Sequence, residues 1–583
     1  MCATAVLSVA GAGTAWVGVR GTTARDHLLR ASALVQQLRQ QLEDVNPSSP
    51  RTLAALQRET RAARAEVDDP AWRIAVRAPG VGDELTAVRT VAAAMDDLAH
   101  DGLPPLVETA GVVGVGLLVP EGGRIDLAPL QHAAPQVAAA DVAMRRARDR
   151  VAAIDQDGLI APVRTAVADL VADLDRAADT VEVAARSAAL LPPMLGVDGA
   201  RTYLMLFQNS AEVRATGGMP GVYVVIRADH GRLTIADQGT AAADIRTFKR
   251  PVLDLSATDR ALYSDRLGTY PADVNLTPNF ATAAELAREM YRRRSGRTVD
   301  GVLATDPVAL SYLLGAIGPV PVPGGTALTA RNAVPVLLSE NYAEDISAEK
   351  QDQYFAAAAE AVFQAVVQRS LDPAKVLAAL ARAAGERRLL VWSSRPAENE
   401  LLDGTVLTGV MPLTDGARPT VGVFLNDGSG AKLGYYLTQK AELSVVAGCR
   451  GDGRRELKLR VTLGSKAPRS GLPPYVLGLG LAGDPYTIRT MVSVYSSTGG
   501  AIADMRLNGA EQHFSTGLDR RRSVGIVNVD LPPGASRTLD VTLLTGVPAD
   551  GDGDVVTPDL WTTPGVNKWA RSVRSADGCP QSR

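Results

Sequence analysis

Cysteine and histidine are scarce in this 583-residue sequence, which excludes several kinds of site. The cysteines stand at positions 2, 449 and 579 without a C-x-x-C pair, and the five histidines are scattered. Neither pattern is that of a zinc site or a cysteine nucleophile, so we expect no bound metal. Cys2 lies in an apolar segment, which leaves Cys449 and Cys579 to form a disulfide if the compartment is oxidising.

Lysine is also rare, since only 8 of the 61 basic residues are lysine. The net charge is −3, so the chain has no overall basic balance and we expect no nucleic-acid partner. No G-x-S-x-G elbow and no G-K-[ST] phosphate loop occur, which excludes the familiar hydrolase and nucleotidase patterns. One basic cluster suits phosphate or uronate groups, although cations are favoured at a helix C-terminus in any case. It comprises Arg288, Arg292, Arg293, Arg294 and Arg297.

Residues 1–19 contain no charged side chain before Arg20. A helix of that length spans about 28 Å, which is just enough for the apolar core of a bilayer. A secretory signal would need a basic region before the apolar run, and this sequence has none. We therefore expect residues 1–22 to form most of a single membrane anchor whose true start lies upstream, with the bulk of the protein extracytoplasmic. The alternative is a buried N-terminal helix.

Residues 23–192 have the apolar spacing of packed helices. Apolar side chains recur every three or four positions at Leu28, Ala31, Val35, Leu38, Leu42 and Val45. A second stripe contains Leu53, Leu56, Ala63 and Val67. We expect an antiparallel bundle of about four to six helices that ends at Pro192-Pro193 and serves as a spacer, or else as a sensor or dimerisation module.

From residue 193 to 400 strands and helices alternate, which favours a central α/β layered domain. The pattern predicts strands at 203–207, 222–226 and 301–304. It predicts helices at 281–294, 307–314, 330–343, 347–370 and 373–384. Pro307 suits the first position of a helix whose N-cap is Asp306.

The polar loop between the first two strands, residues 208–218, is here called the hub loop. It contains a dense set of binding-type side chains: Gln208, Asn209, Glu212, Arg214 and Thr216. Gly217, Gly218 and the nearby Gly221 leave room for a ligand, or for another backbone, to approach main-chain amides. We expect a binding site here. The structural alternative is that the glycines only serve a turn and that Glu212 and Arg214 form a solvated pair.

Residues 401–560 contain short segments with an apolar period of two, at 421–425, 443–446, 457–463, 492–495 and 539–543. The turn signals NDGSG, GDG, STGG and LPPG separate them. This layout predicts a C-terminal antiparallel β-sandwich of immunoglobulin type, followed by a tail at 561–583. The fold class is therefore multidomain α+β.

Several blocks in order resemble a known bacterial family. They are LLGVDGARTYLMLFQNSAEVRATGGMPGVY, DVNLTPNF, VDGVLATDP and FLNDGSGAKLGYYL. The family is the one designated domain of unknown function 4012, and the resemblance covers roughly residues 195 to 550. It implies a β-rich C-terminal region and leaves the chemistry open, because the function of the family is uncharacterised.

The central domain also distantly resembles the LytR-CpsA-Psr glycopolymer transferases, through VDGVLATDPVALSYLLGAIGPVPV and the segment 350–355. The resemblance implies a pocket for a polyprenyl pyrophosphate. Arg214 then matches the first arginine of that family's R-S-D-T motif, and Lys350 or Gln353 falls near its R..RQ helix. Thr216 replaces the metal-binding aspartate, and no arginine occupies residues 350–353. Mg²⁺ is therefore expected only if the chain is an active transferase.

These observations lead to three functional hypotheses. The first is a membrane-anchored envelope protein that binds or helps to assemble a cell-surface polysaccharide or its polyprenyl-phosphate-linked precursor. The second is an active lipid-linked glycopolymer phosphotransferase, and the third is a structural envelope scaffold. The first predicts that Arg214 and the Asn275–Phe280 segment face one apolar cavity, and that Arg214→Ala abolishes ligand binding without loss of stability. The third predicts a tightly packed hub loop with no pocket beside it.

Overall fold

The computed structural model divides the chain into two compact units, residues 1–118 with 125–199, and residues 119–124 with 200–583. The structure describes residues 2–43, 48–110, 120, 122–323, 326–340, 348–415, 418–446, 448, 450–547 and 557–576. The side chains of 2–17, 42–43, 110 and 348–352 lie outside this description. The predicted multidomain α+β class is confirmed. The finer domain boundary at residue 400 stays a prediction.

The first unit is built from helices. They are α1 (Cys2–Glu43), α2 (Ser49–Val67), α3 (Pro70–Ala75), α4 (Gly82–Asp97), α5 (Leu103–Ala110), α6 (Ala128–Ala152) and α7 (Ala161–Met194). A π-helical turn, Leu98–Gly102, joins α4 to α5. Helix α7 continues through the Pro192-Pro193 pair, because both prolines lie in its last turn and few helical hydrogen bonds are lost there. No helix among the described residues is long and apolar enough to cross a membrane.

The predicted helical stripes supply the core of this unit. Ala31 and Leu38 are buried, and they pack with Leu53, Leu56 and Ala99 in one cluster. The second stripe is buried throughout, since Ala63 and Val67 lie in an adjoining cluster around Trp72. Helices α6 and α7 bury a further apolar face that is rich in alanine. The side chains of Leu42 and Val45 lie outside the described residues.

The second unit contains a central mixed sheet with strand order β3-β2-β1-β4-β5. Its strands are β1 (Arg201–Asn209), β2 (Met219–Asp229), β3 (Arg232–Thr240), β4 (Gly301–Thr305) and β5 (Leu390–Ser393). Only β1 and β4 pair in parallel, and the other neighbours are antiparallel. Strands β1, β2 and β4 are the predicted ones. Strands β3 and β5 were not predicted; in β3, the apolar alternation of Leu233 and Ile235 is interrupted by Asp237, Gln238 and Gly239.

Helices cover this sheet. They are α8 (Ala257–Tyr263), α9 (Arg266–Thr269), α10 (Phe280–Ser295), α11 (Pro307–Ile317), α12 (Ala333–Pro335), α13 (Ala348–Gln368), α14 (Pro373–Gly385) and α15 (Pro396–Leu402). A π-helical segment, Val336–Glu340, extends α12. Helix α10 buries Phe280, Leu286 and Met290 against the sheet. Helix α11 begins as predicted, with the Asp306 carboxylate accepting from the Ala309 N–H at 2.8 Å.

Two further sheets enclose the C-terminal core. One has the order β11-β10-β14-β8-β7-β16 and the other β12-β13-β9-β6-β15. The strands are β6 (Thr420–Asp427), β7 (Leu437–Val445), β8 (Glu456–Ser465), β9 (Ile488–Tyr495), β10 (Ala501–Leu507), β11 (Ala510–Glu511), β12 (Ser515–Asp519), β13 (Arg522–Leu531), β14 (Ser536–Leu544), β15 (Asp559–Thr562) and β16 (Ala570–Arg574). A short helix, α16 (Pro474–Leu477), precedes β9.

The C-terminal sheets are mostly antiparallel, as predicted, with two exceptions. Strand β15 joins β6 in parallel, and β16 joins β7 in parallel. Both exceptions are edge strands; β16 lies in the region predicted as a tail, and β15 crosses the start of that region. Parallel addition is possible because each strand is separated from its partner by more than a hundred residues of chain.

Candidate functional site

The hub loop has a tightly hydrogen-bonded backbone. The Asn209 side-chain oxygen accepts from the Ala211 N–H at 3.0 Å, and the Met219 N–H donates to the Glu212 carbonyl at 2.9 Å. A Cβ on Gly218 would lie only 2.3 Å from the Asn209 carbonyl carbon and oxygen. This glycine therefore permits a close approach of the two ends of the loop.

Arg214 is buried in an ion pair with Asp273. Its Nε and Nη2 donate to one Asp273 carboxylate oxygen at 3.2 and 3.0 Å. Arg266 donates to the other oxygen at 2.9 and 2.6 Å, from a largely exposed position. The side chains of Arg214 and Asp273 are 8% and 4% exposed, so the pair is almost fully desolvated. The Arg214 guanidinium thus already has a carboxylate partner inside the protein.

Glu212 forms a second buried ion pair, with Lys432 at the entry to a 3₁₀ turn after β6. Burial lowers the pKa of Lys432, but the adjacent Glu212 carboxylate outweighs it and the net shift is upward. The Lys432 ammonium also lies 4.3 Å from the centre of the Tyr475 ring, where a cation is attracted to the ring face. Lys432 therefore stays charged within a mostly apolar environment.

Three predicted residues hold the hub loop together from within. The Gln208 side-chain oxygen accepts from the Gly218 N–H at 3.0 Å. The Asn275 amide donates to the Thr216 hydroxyl at 2.9 Å and to the Gly218 carbonyl at 2.7 Å. The side-chain oxygen of Asn275 is buried without a hydrogen-bond partner among the described residues. The loop is therefore braced by the predicted 273–280 segment, through hydrogen bonds and not across a cavity.

The hub loop also docks on the C-terminal sheets. The Ala215 N–H donates to the Asn426 side-chain oxygen at 3.0 Å, and the Thr563 hydroxyl donates to the Ala215 carbonyl at 3.0 Å. The Asn426 amide in turn donates to the Leu276 carbonyl at 3.0 Å. Asn426 and Thr563 are completely buried. These bonds join the central sheet to the β6–β15 edge.

A cavity of about 70 Å³, the hub cavity, lies beside the hub loop. Its walls come from β1, β2, α11, the Val336–Glu340 turn, α13 and α16. The apolar lining is Phe207, Met219, Val222, Pro307, Leu310, Leu337, Leu338, Phe355, Ala358 and Ala359. The polar lining is Gln208, Asn209, Asp306 and Lys432, together with the amphipathic Tyr475, and Gly221 completes the wall. Such a mainly apolar space with a few polar groups is typical of a ligand site.

The two charged groups in the lining are both paired. Lys432 pairs with Glu212, and Asp306 accepts from Arg388 at 2.5 Å. Arg388 is itself buried and donates to the Gly565 carbonyl at 2.7 Å. Burial lowers the pKa of Arg388, but Asp306 and Glu386 outweigh it and the net shift is upward. The charges at the cavity are therefore balanced before any ligand binds.

The structure brings some of the predicted site residues to the hub cavity and leaves others away from it. Gln208, Asn209 and Gly221 line the cavity, and Glu212 is connected to it through Lys432. The described residues that line it do not include Arg214, Thr216, Gly217, Gly218 or Asn275. These residues instead form hydrogen bonds within the hub loop and between the loop and the 273–280 segment.

Helix α13 contributes to the cavity, but with different residues from those predicted. Phe355, Ala358 and Ala359 line it, whereas Gln353 is exposed and does not. The side chain of Lys350 lies outside the described residues, as do both cysteines of the predicted disulfide, Cys449 and Cys579.

Sequence reasoning missed Lys432, Tyr475 and Arg388. Lys432 belongs to the block FLNDGSGAKLGYYL, so its presence among the family-like blocks was the available signal. Among the described residues, no three His, Cys, Asp or Glu side chains converge as metal ligands would.

Residues 198–342 match the model of a family described as "Protein of unknown function (DUF4012)". This confirms the predicted resemblance over a DUF4012 domain that contains the hub loop, and the match ends before the block at 424–437. No curated protein matches the chain. The LytR-CpsA-Psr resemblance stays a prediction.

Among solved structures, the chain is similar to a mutant M1 zinc metallopeptidase from Deinococcus radiodurans bound to a Tyr-Ser-Ala substrate. The identity is 15%, the TM-score is 0.12, and the match covers 20% of this chain and 22% of that one. A two-domain M1 zinc metallopeptidase mutant bound to L-tryptophan matches over the same shares, with 16% identity and a TM-score of 0.12. The match spans less than a quarter of either peptidase, and a TM-score this low supports no argument about fold or function.

Proposed function

We propose that this chain binds an amphipathic molecule of the cell envelope, such as a lipid-linked saccharide, and takes the end of its apolar part into the hub cavity. The observation that supports the proposal is the lining of this cavity, in which ten apolar side chains meet four polar ones and a tyrosine. The polar groups gather at the hub loop, because Asp306 lies 3.5 Å from the Ser210 hydroxyl and Lys432 pairs with Glu212. An amphipathic ligand matches this division.

The volume of the cavity limits what enters it. At about 70 Å³ it is well below the roughly 300–1,000 Å³ of sites that enclose a whole small molecule. We therefore propose that only the end of an apolar chain enters, while the polar part of the ligand stays at the hub loop. Gln208 and Asn209, whose side-chain oxygens accept from N–H groups of the loop itself, form the polar edge of the cavity that would meet a saccharide.

The charge balance favours binding over phosphotransfer. A transferred pyrophosphate needs cationic groups or a metal ion that meet its charge. The two charged groups at the cavity already have partners, and Arg214 is paired with Asp273 away from it. The proposal therefore assigns the chain a binding or assembly role. It includes the predicted anchor in residues 1–22 and the extracytoplasmic location, because a lipid-linked ligand is met at a membrane surface.

A substitution that fills the cavity tests the proposal. Ala358 lines the cavity and is 2% exposed, so Ala358→Leu places three more carbon atoms in this space. Ala356, on the same helix, is half-buried and does not line the cavity, which makes Ala356→Leu the matched control. Farnesyl phosphate, a short polyprenyl phosphate, is titrated calorimetrically into the full chain and both variants.

We expect the wild-type protein and Ala356→Leu to bind the probe equally, and Ala358→Leu to bind it about tenfold more weakly. Excluding two methylene groups from an apolar site corresponds to about 1.6 kcal/mol, which is slightly more than tenfold. If the wild type does not bind farnesyl phosphate, or both leucine variants bind as well as it does, the cavity is not the ligand site. Absence of binding would favour the scaffold hypothesis.

A further inference from the structure

The segment Leu472–Gly483, here called the apolar loop, exposes large apolar side chains next to the hub cavity. Leu479 is 77% exposed, Leu481 is 58% exposed and Tyr475 is 46% exposed. Tyr475 also lines the cavity, so the exposed surface and the cavity are continuous. Single exposed apolar residues are ordinary, but three within one short loop mark an interaction surface.

The apolar loop is held in place by its backbone. The Leu479 N–H donates to the Ser429 carbonyl at 3.0 Å, and the Lys432 N–H donates to the Val476 carbonyl at 2.9 Å. Gly478 has a φ of +70°, and a Cβ there would lie 2.7 Å from the Ser429 carbonyl oxygen. Val476 is buried beneath the loop. The exposure of the two leucines therefore follows from a fixed conformation.

The chain that leads into the apolar loop is basic. Lys466 and Arg469 are exposed, and neither forms an ion pair with a described residue. Apolar side chains beside unpaired basic ones form the pattern of a surface that binds anionic lipid.

We infer that the apolar loop docks on an anionic lipid bilayer, with Leu479 and Leu481 inserted between the acyl chains and Lys466 and Arg469 facing the lipid headgroups. Tyr475 then lies at the level of the headgroups, where tyrosine is enriched. A bilayer is favoured over a protein partner because the exposed tips of the two leucines are aliphatic, and the exposed charges of residues 466–484 are two basic side chains, Lys466 and Arg469, against the single carboxylate of Asp484. The inference rests on the proposed function, since docking would bring a lipid-linked ligand to the Tyr475 side of the cavity.

Site-specific fluorescence tests this inference on the full chain. The three native cysteines are replaced by serine, and the environment-sensitive NBD dye is attached through Leu479→Cys. The matched control carries the dye through Leu518→Cys, because Leu518 is 60% exposed on β12, away from the apolar loop. Each protein is mixed with vesicles of phosphatidylglycerol or of phosphatidylcholine. A dye at one position reports insertion of that position even if another part of the chain binds the vesicle.

We expect the dye at position 479 to brighten and shift to the blue with phosphatidylglycerol vesicles, and the dye at 518 to stay unchanged. Reversal of both basic charges, Lys466→Glu with Arg469→Glu, should weaken the response of the 479 dye about tenfold or more. An unchanged 479 dye, or equal responses at 479 and 518, overturns the inference. So does a response that is indifferent to lipid charge.

A second measurement avoids the cysteine replacements. In the native-cysteine protein, Leu479→Asp with Leu481→Asp should lose the difference in vesicle co-sedimentation between the two lipids, whereas Leu518→Asp should retain it. Retention of that difference by the double aspartate variant also overturns the inference. Farnesyl phosphate binding in the absence of vesicles should persist in this variant, so a failure of docking is distinguishable from a failure of the proposed ligand site.

Discussion

The buried Arg214–Asp273 pair should behave as a structural element whose loss destabilises the second unit. The substitution Asp273→Ala leaves the Arg214 guanidinium, 8% exposed, with one hydrogen bond to the Val213 carbonyl and no hydrogen-bonded carboxylate among the described residues. Removing one partner from a buried ion pair costs about 3–5 kcal/mol. Arg214→Ala should cost less, because the Asp273 carboxylate keeps its two hydrogen bonds from Arg266.

Arg266→Ala is the matched control for this pair. The Arg266 side chain is 59% exposed, so its ion pair with Asp273 is screened by water and should contribute at most about 1 kcal/mol. The expected order of destabilisation is Asp273→Ala, then Arg214→Ala, then Arg266→Ala. The double variant Arg214→Ala with Asp273→Ala should be more stable than Asp273→Ala alone, because it removes the unpaired charge.

Equilibrium urea unfolding, followed by near-ultraviolet circular dichroism, measures these differences. If Asp273→Ala unfolds within 1 kcal/mol of the wild type, as a surface pair would allow, the desolvated pair is not what stabilises the loop. Arg214 would then regain the ligand role predicted from the sequence, where Arg214→Ala abolishes probe binding and leaves stability unchanged. The structure predicts the opposite outcome, in which stability falls and farnesyl phosphate still binds the folded fraction.

Three further outcomes are expected. Gly218→Ala should destabilise the second unit by about 1–3 kcal/mol in urea, because its Cβ meets the backbone at 2.3 Å, whereas Gly221→Ala meets only the end of a flexible methionine and should be tolerated. Lys432→Met should cost about 3–5 kcal/mol by leaving Glu212 buried and unpaired, and adding Glu212→Gln should restore most of that loss. Glu289 forms ion pairs with two arginines of its own helix, and their hydrogen bonds lower its pKa from 4.5 to about 2. Its folded pKa lies below the unfolded one, so its stabilisation is present above pH 4.5 and is lost as the pH falls through 2. Glu289→Gln should therefore lose about 0.3–0.5 kcal/mol for each pair at neutral pH and should match the wild type below pH 2.

The elements around the hub loop were predictable because their local chemistry is unambiguous. Strands β1 and β2 are apolar runs bounded by asparagine, glycine and aspartate. The start of α11 is marked by Asp306 as N-cap and Pro307 as first helical residue. Strand β3 has only Leu233 and Ile235 at alternate positions before Asp237, Gln238 and Gly239 interrupt the pattern, so its sequence indicates a strand only weakly. Its place at the sheet edge comes from pairing with β2, which is a tertiary effect.

The chemistry of the loop's side chains was not predictable from local sequence. The partners of Arg214 and Glu212 are 59 and 220 residues away along the chain. A single sequence shows which side chains are polar, but not whether each bonds to the protein or faces a ligand. The hub cavity has the same origin, because six separate elements line it and, of the residues predicted from the sequence, only Gln208, Asn209 and Gly221 are in its lining.

The bonds between the hub loop and the C-terminal sheets have a consequence for folding during synthesis. The Thr563 hydroxyl that satisfies the Ala215 carbonyl is 348 residues away along the chain. At about 5–20 residues per second, a ribosome needs roughly 20–70 seconds to make the intervening segment. The family-matched range 198–342 also lacks β5 and Asn426, so it is not a complete folding unit. Until Asn426 and Thr563 are synthesised, the backbone groups of Ala215 lack their native hydrogen-bond partners. Contacts over such long separations slow folding. Slow folding and dependence on chaperones are the expected result, and fragments cut at the edges of the matched domain should fail to fold.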